Sequence, residues 1–316
     1  MFLENVIFMG TPQFGVPTLE LLSKTKFKPV LCITQPDKPK GRNQKLTPPE
    51  IKVKALELNI TVIQPEDINL PEIVKKLEEI EPDIVVTAAY GGYFKKNIRL
   101  LPRFGCINLH PSLLPKYRGP APINYALFNG DEVTGNTIFK IVAKMDAGPI
   151  LYQSITKIEK KDNYTDLYKK LSLQGAEDVL KVLEKIESDN IEKIRQDETK
   201  VTFTSKILKE DMIIRWNDPA EKIKNQIRGL AEKPGAVAGF RGNRIKIIEV
   251  EVLDQKSHLI PGVIKEIIKN SGIIIATADY DLLLKKLQPA GKKIMGVYAF
   301  SLGARIKPGE IFTNGF

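Results

Sequence analysis

Three polar residues have types that could do imidazole chemistry with a hydrogen-bond donor and a carboxylate partner. Asn108 and His110 lie two positions apart at the end of an apolar run, so both side chains would project from one face of a strand that continues to His110. Asp146 follows a second apolar run and precedes Gly148, where a carboxylate is either a turn residue or a buried partner of a neighbouring imidazole. Residue types alone leave open whether His110 is catalytic or a packed, hydrogen-bonded histidine. The chain has one other histidine, His258.

A proline-rich polar loop follows His110. Its backbone is restricted by four prolines, which are Pro111, Pro115, Pro120 and Pro122. The same loop carries Ser112, Tyr117 and Arg118. Ser112 is close enough to His110 in sequence to suggest a nucleophile, but it lacks the Gly-x-Ser-x-Gly turn that presents a nucleophilic serine.

Two further segments are candidates for ligand binding. The stretch MGTPQFGVP, residues 9–17, has neither the G-x-G-x-x-G spacing of dinucleotide sites nor a Walker lysine, so nicotinamide cofactors and nucleoside triphosphates are not indicated. Its glycines either permit a tight turn or form a backbone wall for a small ligand. The loop 35–49 is rich in proline and is either a solvated charged loop or a phosphate-binding one. Its four cations are Lys38, Lys40, Arg42 and Lys45.

The composition is that of a folded globular protein with two domains. Of 316 residues, 42% are hydrophobic and 27% are charged, and no apolar run reaches the roughly 18 residues of a membrane span. The N-terminus has no basic segment before an apolar one, so we expect no signal peptide, no membrane partner and a cytoplasmic location. Cys32 and Cys106 lie in apolar stretches and are expected to be buried thiols, and without metal-ligand spacing we expect no metal site.

Strand-like and helix-like segments alternate through the first half of the chain. The apolar runs are 6–9, 30–34, 60–63, 84–88 and 106–109, and the helical patterns between them are 16–23, 49–58 and 71–80. This alternation predicts an α/β domain with a Rossmann-like parallel sheet, in which ligands bind beyond the carboxyl ends of the strands. Extended runs at 136–142 and 149–158 and a helix at 163–186 follow, with Asn163 and Asp166 resembling a capping box.

The remaining residues predict a second, basic domain. We expect a first domain at 1–189, a polar linker at 190–206 and a second domain at 207–316. The second domain has one amphipathic helix and then five short strands in about 50 residues, which fits a small barrel of the oligonucleotide-binding (OB) type. It holds 18 Lys and Arg against 12 Asp and Glu, whereas residues 1–206 hold 30 against 26, so the net charge of +10 favours a polyanionic partner.

Longer motifs resemble the methionyl-tRNA formyltransferase family, within the wider folate-dependent formyltransferases. They are MGTPQFGVPTLELL from Met9, TQPDKPKGRNQKLTPPEIK from Thr34, AAYG from Ala88, GCINLHPSLLPKYRGPAPI from Gly105, MDAGPILY from Met145 and LQPAGKKIM from Leu287. The Asn-x-His and Ser-Leu-Leu-Pro-x-x-Arg-Gly segments resemble the wider group, and the loop around Arg42 and LQPAGKK resemble the tRNA enzymes. The chain departs from the family pattern at residues 92–95 and at Val142, Lys144 and Ala147.

The resemblance implies transfer of the formyl group of 10-formyltetrahydrofolate, a co-substrate, to the α-amino group of methionine on initiator methionyl-tRNA, for translation initiation. It implies that Asn108 and a protonated His110 stabilise the developing oxyanion, and that Asp146 favours the charged imidazole and accepts the proton of the amine. It places the folate against Ala88, Tyr90, Gly91, Ser112, Leu113, Leu114 and Pro115. It places the acceptor arm of the tRNA against Lys38, Lys40, Arg42 and Lys45, and the tRNA backbone against the C-terminal barrel. We expect a monomer.

Other functions use the same residue types. A formyltransferase for a small amine would share the three catalytic residues; one for glycinamide ribonucleotide would lack the basic barrel, and one for a sugar nucleotide would usually lack the loop around Arg42. A formyltetrahydrofolate hydrolase would use water in place of the amine. A noncatalytic tRNA-binding protein would need only the barrel and the charge, and His110→Ala would leave its activity unchanged.

Overall fold

Strands and helices alternate along the first half of the chain, as the apolar runs predict. A computed structural model describes residues 2–41 and 44–315. The strands are β1 Val6–Gly10, β2 Leu31–Ile33, β3 Lys38–Lys40, β4 Lys45–Thr47, β5 Thr61–Ile63, β6 Ile84–Ala88, β7 Cys106–His110, β8 Val133–Lys140, β9 Ile150–Lys157, β10 Ala236–Phe240, β11 Asn243–Lys256, β12 Ile264–Ile268, β13 Gly272–Ile275, β14 Tyr280–Pro289, β15 Met295–Gly296 and β16 Phe312–Thr313. The helices are α1 Val16–Leu22, α2 Glu50–Glu57, α3 Pro71–Glu78, α4 Lys96–Leu100, α5 Pro122–Phe128, α6 Tyr164–Glu187, α7 Ala220–Leu230 and α8 Val297–Gly303. Short 3₁₀ turns lie at Gln13–Gly15, Glu198–Lys200 and Glu210–Met212.

The chain divides into two compact units. The N-terminal unit comprises Met1–Pro122, Val133–Ile158 and Tyr168–Thr204, and the C-terminal unit comprises Ile123–Glu132, Glu159–Leu167 and Ser205–Phe316. Most of the segment 190–206, predicted as a linker, is therefore part of the N-terminal unit. Isolated bridges join Ile194 to Ile150 and Phe203 to Arg118, which explains why this polar segment is ordered against that unit.

The N-terminal unit is built on one mostly parallel sheet. The strand order is β5-β2-β1-β6-β7-β8-β9, and the first five of these strands are parallel while β8 and β9 are antiparallel. Every residue of β1, β2 and β6 is buried, which accounts for their continuous apolar runs. The parallel strands β6 and β7 are neighbours, so the segments that follow them leave from the same edge of the sheet. The predicted α/β, Rossmann-like class is confirmed.

Helix α6 starts at the predicted capping box. The side-chain oxygen Oδ1 of Asn163 accepts hydrogen bonds from the backbone N–H groups of Thr165 and Asp166, at 2.8 and 3.2 Å. In return, the N–H of Asn163 donates to Oδ2 of Asp166 at 3.2 Å. This reciprocal pair satisfies donors that the first helical turn leaves without intrahelical partners.

The C-terminal unit is a closed antiparallel barrel. Its strand order is β12-β13-β14-β11-β10-β16, with β15 beside β14. A bridge between Val263 and Ile311 joins the two ends of this order, and the N–H of Phe312 donates to the carbonyl of Gly262 at 2.8 Å. The five predicted strands correspond to β10 to β14, and the OB-like class is confirmed. The closing strand β16 was not predicted, because two residues are too few to show an alternation of apolar and polar side chains.

The described residues show neither a membrane-spanning helix nor a metal-binding cluster. No helix within residues 2–41 and 44–315 is long and apolar enough to cross a membrane. Over the same ranges, no group of three or more His, Cys, Asp or Glu side chains is arranged to hold a metal ion. Cys32 and Cys106 are free, buried thiols, as predicted, and burial raises the pKa of each to about 12.

The close contact that closes the barrel predicts that Gly262→Ala lowers the stability of the protein strongly. Gly262 has a φ of +90°, and an added Cβ would lie 2.3 Å from the backbone oxygen of Phe312. The strained backbone and the clash together should lower the free energy of unfolding by at least about 2 kcal/mol. Urea unfolding followed by tryptophan fluorescence measures this, because the single tryptophan, Trp216, is buried in the same unit.

The matched control is Gly303→Ala. Gly303 is the last residue of α8, and an added Cβ there meets no atom within 4 Å. We expect its unfolding midpoint to stay within the error of wild type or to rise slightly. An equal midpoint for the two variants would contradict the role assigned to the close contact at Gly262.

Candidate active site

His110 ends strand β7 and is almost fully buried, with 4% of its surface exposed. Its ring nitrogen Nε2 lies 2.9 Å from the carbonyl oxygen of Tyr117. Since a carbonyl can only accept, this contact assigns the proton of the neutral ring to Nε2. The ring of Phe139 meets the imidazole edge-on, with centroids 6.3 Å apart. The imidazole is therefore fixed at one nitrogen, and Nδ1 is left for chemistry.

Asp146 is the residue that faces Nδ1. Its Oδ2 lies 3.9 Å from Nδ1 of His110 and accepts a hydrogen bond of 2.8 Å from the backbone N–H of Gly119. Asp146 has a φ of +49°, a left-handed conformation that a residue with a side chain adopts only when its surroundings hold it there. The separation of 3.9 Å is an ion-pair distance once the imidazole is charged. The structure thus brings His110 and Asp146 together, as the sequence analysis expected.

Gln196 holds the backbone on which Asp146 sits. The side-chain amide of Gln196 donates to the carbonyl oxygens of Asp146 and Gly148, both at 2.8 Å. Its oxygen accepts from Nε and Nη2 of Arg118, at 3.0 and 2.8 Å. Two donors and two acceptor positions are all that a glutamine offers, so this buried side chain is fully used. We call Gln196 and Arg118 the Asp146 clamp.

A charged group continues the clamp toward the surface. Arg118 has no exposed surface, and its Nη2 donates to Oε1 of Glu198 at 2.8 Å. Lys144 donates to Oε2 of the same carboxylate at 2.6 Å. Arg118 in the first place and Lys144 in the second lower the pKa of Glu198 to about 2. Lys144, one of the departures from the family pattern, therefore has a partner that ties the loop of Asp146 to residue 198.

Asn108 lies on the same strand face as His110, two positions earlier. Its side-chain oxygen Oδ1 lies 2.6 Å from the hydroxyl of Thr87 on the neighbouring strand β6. Asn108 is partly exposed, whereas its neighbours Ile107 and Leu109 are buried. The amide is therefore anchored on one side and accessible on the other.

The predicted folate-binding residues after β6 form a tight turn. Ala88 ends the strand, and Gly91 has a φ of +81° with no atom within 4 Å of an added Cβ. Tyr90 is buried against Phe94, with ring centroids 5.8 Å apart, and burial raises the pKa of its phenol to about 12. An added Cβ on Gly92 would lie 2.5 Å from the Tyr90 ring. In this structure a side chain at residue 92 would therefore require the Tyr90 ring to move.

The predicted folate-binding residues after β7 are Ser112, Leu113, Leu114 and Pro115. The hydroxyl of Ser112 is buried and donates to the carbonyl of Lys116 at 2.7 Å. Thr137 on β8 donates to the carbonyl of Ser112 at 2.6 Å and accepts from the N–H of Leu114 at 3.1 Å. Ser112 is thus engaged in shaping the loop, which does not favour a nucleophilic role.

The basic loop is a short antiparallel hairpin of β3 and β4. Lys38 pairs with Thr47 and Lys40 with Lys45, and the three lysines are exposed. The side chain of Lys40 also forms an ion pair of 3.0 Å with Glu50. The sequence analysis describes this segment only as a loop, and its two strands were not predicted because exposed three-residue strands bury too little to produce an apolar pattern. Arg42, the fourth predicted cation, lies outside the described residues.

Comparison with known proteins supplies the family. Residues 4–183 match the family model described as formyl transferase, and residues 206–305 match formyl transferase, C-terminal domain. A methionyl-tRNA formyltransferase from Bacillus velezensis is 40% identical over 98% of both chains. One from Clostridium tetani is 41% identical over 97% of this chain and 99% of its own. The chain belongs to the methionyl-tRNA formyltransferase family. The predicted resemblance is confirmed.

A solved structure shows how widely this fold is shared within formyltransferases. WlaRD, a sugar 3N-formyl transferase crystallised in the presence of dTDP and 5-N-formyl-THF, aligns with a TM-score of 0.68 at 20% identity, over 93% of this chain and all of that one. Membership of the methionyl-tRNA formyltransferase family makes this protein an enzyme that transfers a formyl group.

Gln196 was not predicted as a site residue, because its segment was interpreted as a linker. The sequence offers only one polar residue there, in a segment without apolar periodicity.

The Asp146 clamp predicts that Gln196→Leu lowers the rate of formyl transfer strongly. This substitution keeps the approximate volume but leaves the carbonyls of Asp146 and Gly148 and part of Arg118 without these partners. We expect the loop of Asp146 to shift and the formyl-transfer rate to fall by about 10- to 100-fold. The control is Glu192→Leu in the same segment, where the side chain is exposed. The measurement is the rate at saturating substrates, with the folded fraction checked by circular dichroism. A wild-type rate for the folded Gln196→Leu protein would show that the clamp does not position Asp146.

Proposed function

We propose that this enzyme transfers the formyl group of 10-formyltetrahydrofolate to the α-amino group of methionine on initiator methionyl-tRNA, and that it works in the cytoplasm as a monomer. One observation carries the proposal. Similarity to methionyl-tRNA formyltransferases extends over 98% of the chain and includes both family domains. The paired His110 and Asp146, 3.9 Å apart at the end of a parallel strand, supply the chemistry that such a transfer requires.

The residues at the strand ends fit a formyl-folate. Bound there, the co-substrate supplies a formyl carbon that an amine can attack. Gly91 offers a stretch of backbone with free space on its Cα side, and Tyr90 and Leu114 are buried apolar side chains on the two segments that follow β6 and β7. Ala88 and Asn108 lie at the same edge of the sheet, at the ends of adjacent parallel strands. We assign the folate site to Ala88, Tyr90, Gly91 and residues 112–115.

The three polar residues divide the chemistry. Attack by a neutral amine builds negative charge on the formyl oxygen, and donors placed at that oxygen lower the barrier. Asn108 donates from its side-chain amide, and a charged His110 donates from Nδ1. Asp146 stabilises that charge from 3.9 Å and takes the proton that the amine loses, directly or through water. The bond between the formyl carbon and the folate nitrogen then breaks, and that nitrogen takes up the proton as it leaves. No covalent bond to the enzyme is needed, which agrees with the engaged hydroxyl of Ser112.

Two basic features support tRNA as the carrier of the amine. The hairpin of β3 and β4 presents Lys38, Lys40 and Lys45 to solvent beside the N-terminal sheet. The second domain has 18 Lys and Arg against 12 Asp and Glu and an OB-like barrel, an architecture that commonly binds nucleic acid. A glycinamide ribonucleotide formyltransferase would lack the basic barrel, and a sugar-nucleotide formyltransferase would usually lack the loop around Arg42. We assign Lys38, Lys40, Lys45 and Arg42 to phosphate contacts in the acceptor arm.

Formyl transfer from 10-formyltetrahydrofolate to charged initiator methionyl-tRNA is the direct test. We expect wild type to formylate the tRNA-bound methionine and to leave free methionine unmodified. His110→Ala and Asp146→Asn should each lower the rate at saturating substrates by at least about 100-fold, because each removes a charge from the reacting centre. Asn108→Ala should lower it by about 100- to 1,000-fold through loss of an oxyanion donor.

The same assay separates the alternatives. Equal release of formate with and without tRNA would indicate a formyltetrahydrofolate hydrolase. Transfer to an amino sugar nucleotide or to glycinamide ribonucleotide, with none to methionyl-tRNA, would indicate a small-amine enzyme. Full activity of His110→Ala would remove His110 from the catalytic group.

The hairpin predicts a salt-dependent loss of tRNA affinity. Lys38→Ala combined with Arg42→Ala should raise the KM for methionyl-tRNA while the affinity for 5-formyltetrahydrofolate, a non-reacting probe, stays unchanged. The slope of log affinity against log salt concentration should decrease by about 0.9 for each cation that neutralises a phosphate. Lys28→Ala, an exposed lysine of the same unit, is the control. Equal loss of folate and tRNA binding would contradict the assignment.

A further inference from the structure

Thr87 is a buried polar residue that the chemistry above does not use. It lies on β6, directly opposite Asn108 on β7, and only 3% of its surface is exposed. Its Oγ1 lies 2.6 Å from Oδ1 of Asn108 and 3.1 Å from the backbone carbonyl of Ile107. A hydroxyl has one proton, so it donates fully to one of these two oxygens at a time.

The distances favour donation to Asn108. A separation of 2.6 Å is normal for O–H···O and short for N–H···O, which centres near 2.9 to 3.0 Å. The atom of Asn108 that faces Thr87 is therefore the oxygen, and Nδ2 points the other way. Among the residues that the structure describes, Nδ2 of Asn108 has no hydrogen-bond partner within the protein. Its two N–H groups are available at the partly exposed side of the strand end.

We propose that Thr87 is a positioning residue that orients the Asn108 amide so that its NH₂ group, and not its oxygen, faces the developing oxyanion. The inference rests on the proposed function, in which Asn108 is an oxyanion donor. A reversed amide would present an acceptor to a growing negative charge and would oppose the reaction. Because the oxygen and nitrogen of an amide have nearly the same size, packing alone does not choose between them. A hydroxyl donor at the oxygen makes that choice.

The substitution Thr87→Val removes the hydroxyl and keeps the shape. We expect the rate at saturating substrates to fall by about 3- to 10-fold, since the amide is then free to turn over. The KM values for methionyl-tRNA and for the folate should stay within about 2-fold of wild type. Thr87→Ser restores the donor and should recover the rate to within about 3-fold. Thr18→Val is the matched control, because Thr18 is fully buried on α1 and its hydroxyl has no partner among the described residues.

A double-mutant cycle separates positioning from general support of the fold. In the Asn108→Ala background there is no amide to orient, so Thr87→Val should change the rate by less than about 2-fold. A further loss equal to that in the wild-type background would show that Thr87 acts on something other than Asn108. A wild-type rate for Thr87→Val itself would also overturn the proposal.

A readout independent of catalysis distinguishes this inference from the proposed function. In protein labelled with ¹⁵N-asparagine, the side-chain NH₂ signal of Asn108, assigned with Asn108→Asp, should shift or broaden in Thr87→Val and stay in place in Thr18→Val. An unchanged signal in Thr87→Val would overturn the orientation by Thr87. Wild-type protein that does not formylate methionyl-tRNA, with the signal still dependent on Thr87, would contradict the proposed function alone.

Discussion

The candidate active site of the N-terminal unit depends on a carboxylate held 3.9 Å from a buried imidazole. Burial disfavours charge on either group, so the pair is useful only if backbone dipoles and hydrogen bonds hold each partner in place. The carbonyl of Tyr117 holds one ring nitrogen of His110, and the N–H of Gly119 holds the carboxylate of Asp146. Both groups come from one proline-rich loop. That loop therefore needs a rigid backbone, and its prolines supply it.

The Asp146 clamp also holds Asp146 in place, through the backbone of the turn that carries it. Asp146 has a left-handed backbone conformation, which costs about 1 to 3 kcal/mol. This conformation persists only when surrounding contacts stabilise it. Gln196 binds two carbonyls of this turn and is itself bound by Arg118. The cost of burying a guanidinium is offset in part by Glu198, whose low pKa keeps it charged across the physiological range. A polar segment after the last helix of the domain thus becomes part of the framework that holds Asp146.

The sequence predicts two kinds of feature in this site: strands with a periodic apolar pattern, and residues that lie close together along the chain. Continuous apolar runs predict buried parallel strands, and the spacing of Asn108 and His110 predicts their common face, because both follow from local periodicity. The pairing with Asp146 was an expectation from family resemblance and residue type, and the structure places the two groups together. Gln196 was not predictable, since its function arises from contacts with residues 50 and 78 positions away. Thr87 looked like one residue of an apolar strand, and only the register of β6 and β7 reveals its partner.

In the proposed function, the residues for formyl transfer are separate from the residues that bind the acceptor. The fold alone therefore does not identify the acceptor amine. A sugar 3N-formyl transferase shares this fold with a TM-score of 0.68 at 20% identity, so the fold by itself does not identify the acceptor. In the proposed reaction, the formyl group needs only donors and a base at the strand ends, and these are assigned to β7 and the loop of Asp146. Recognition of a polyanionic acceptor needs positive charge spread over a longer distance, which a strand end does not offer. In the proposed function, the exposed lysines of the hairpin and the excess of cations in the C-terminal domain supply that charge, while the residues at the strand ends supply the chemistry.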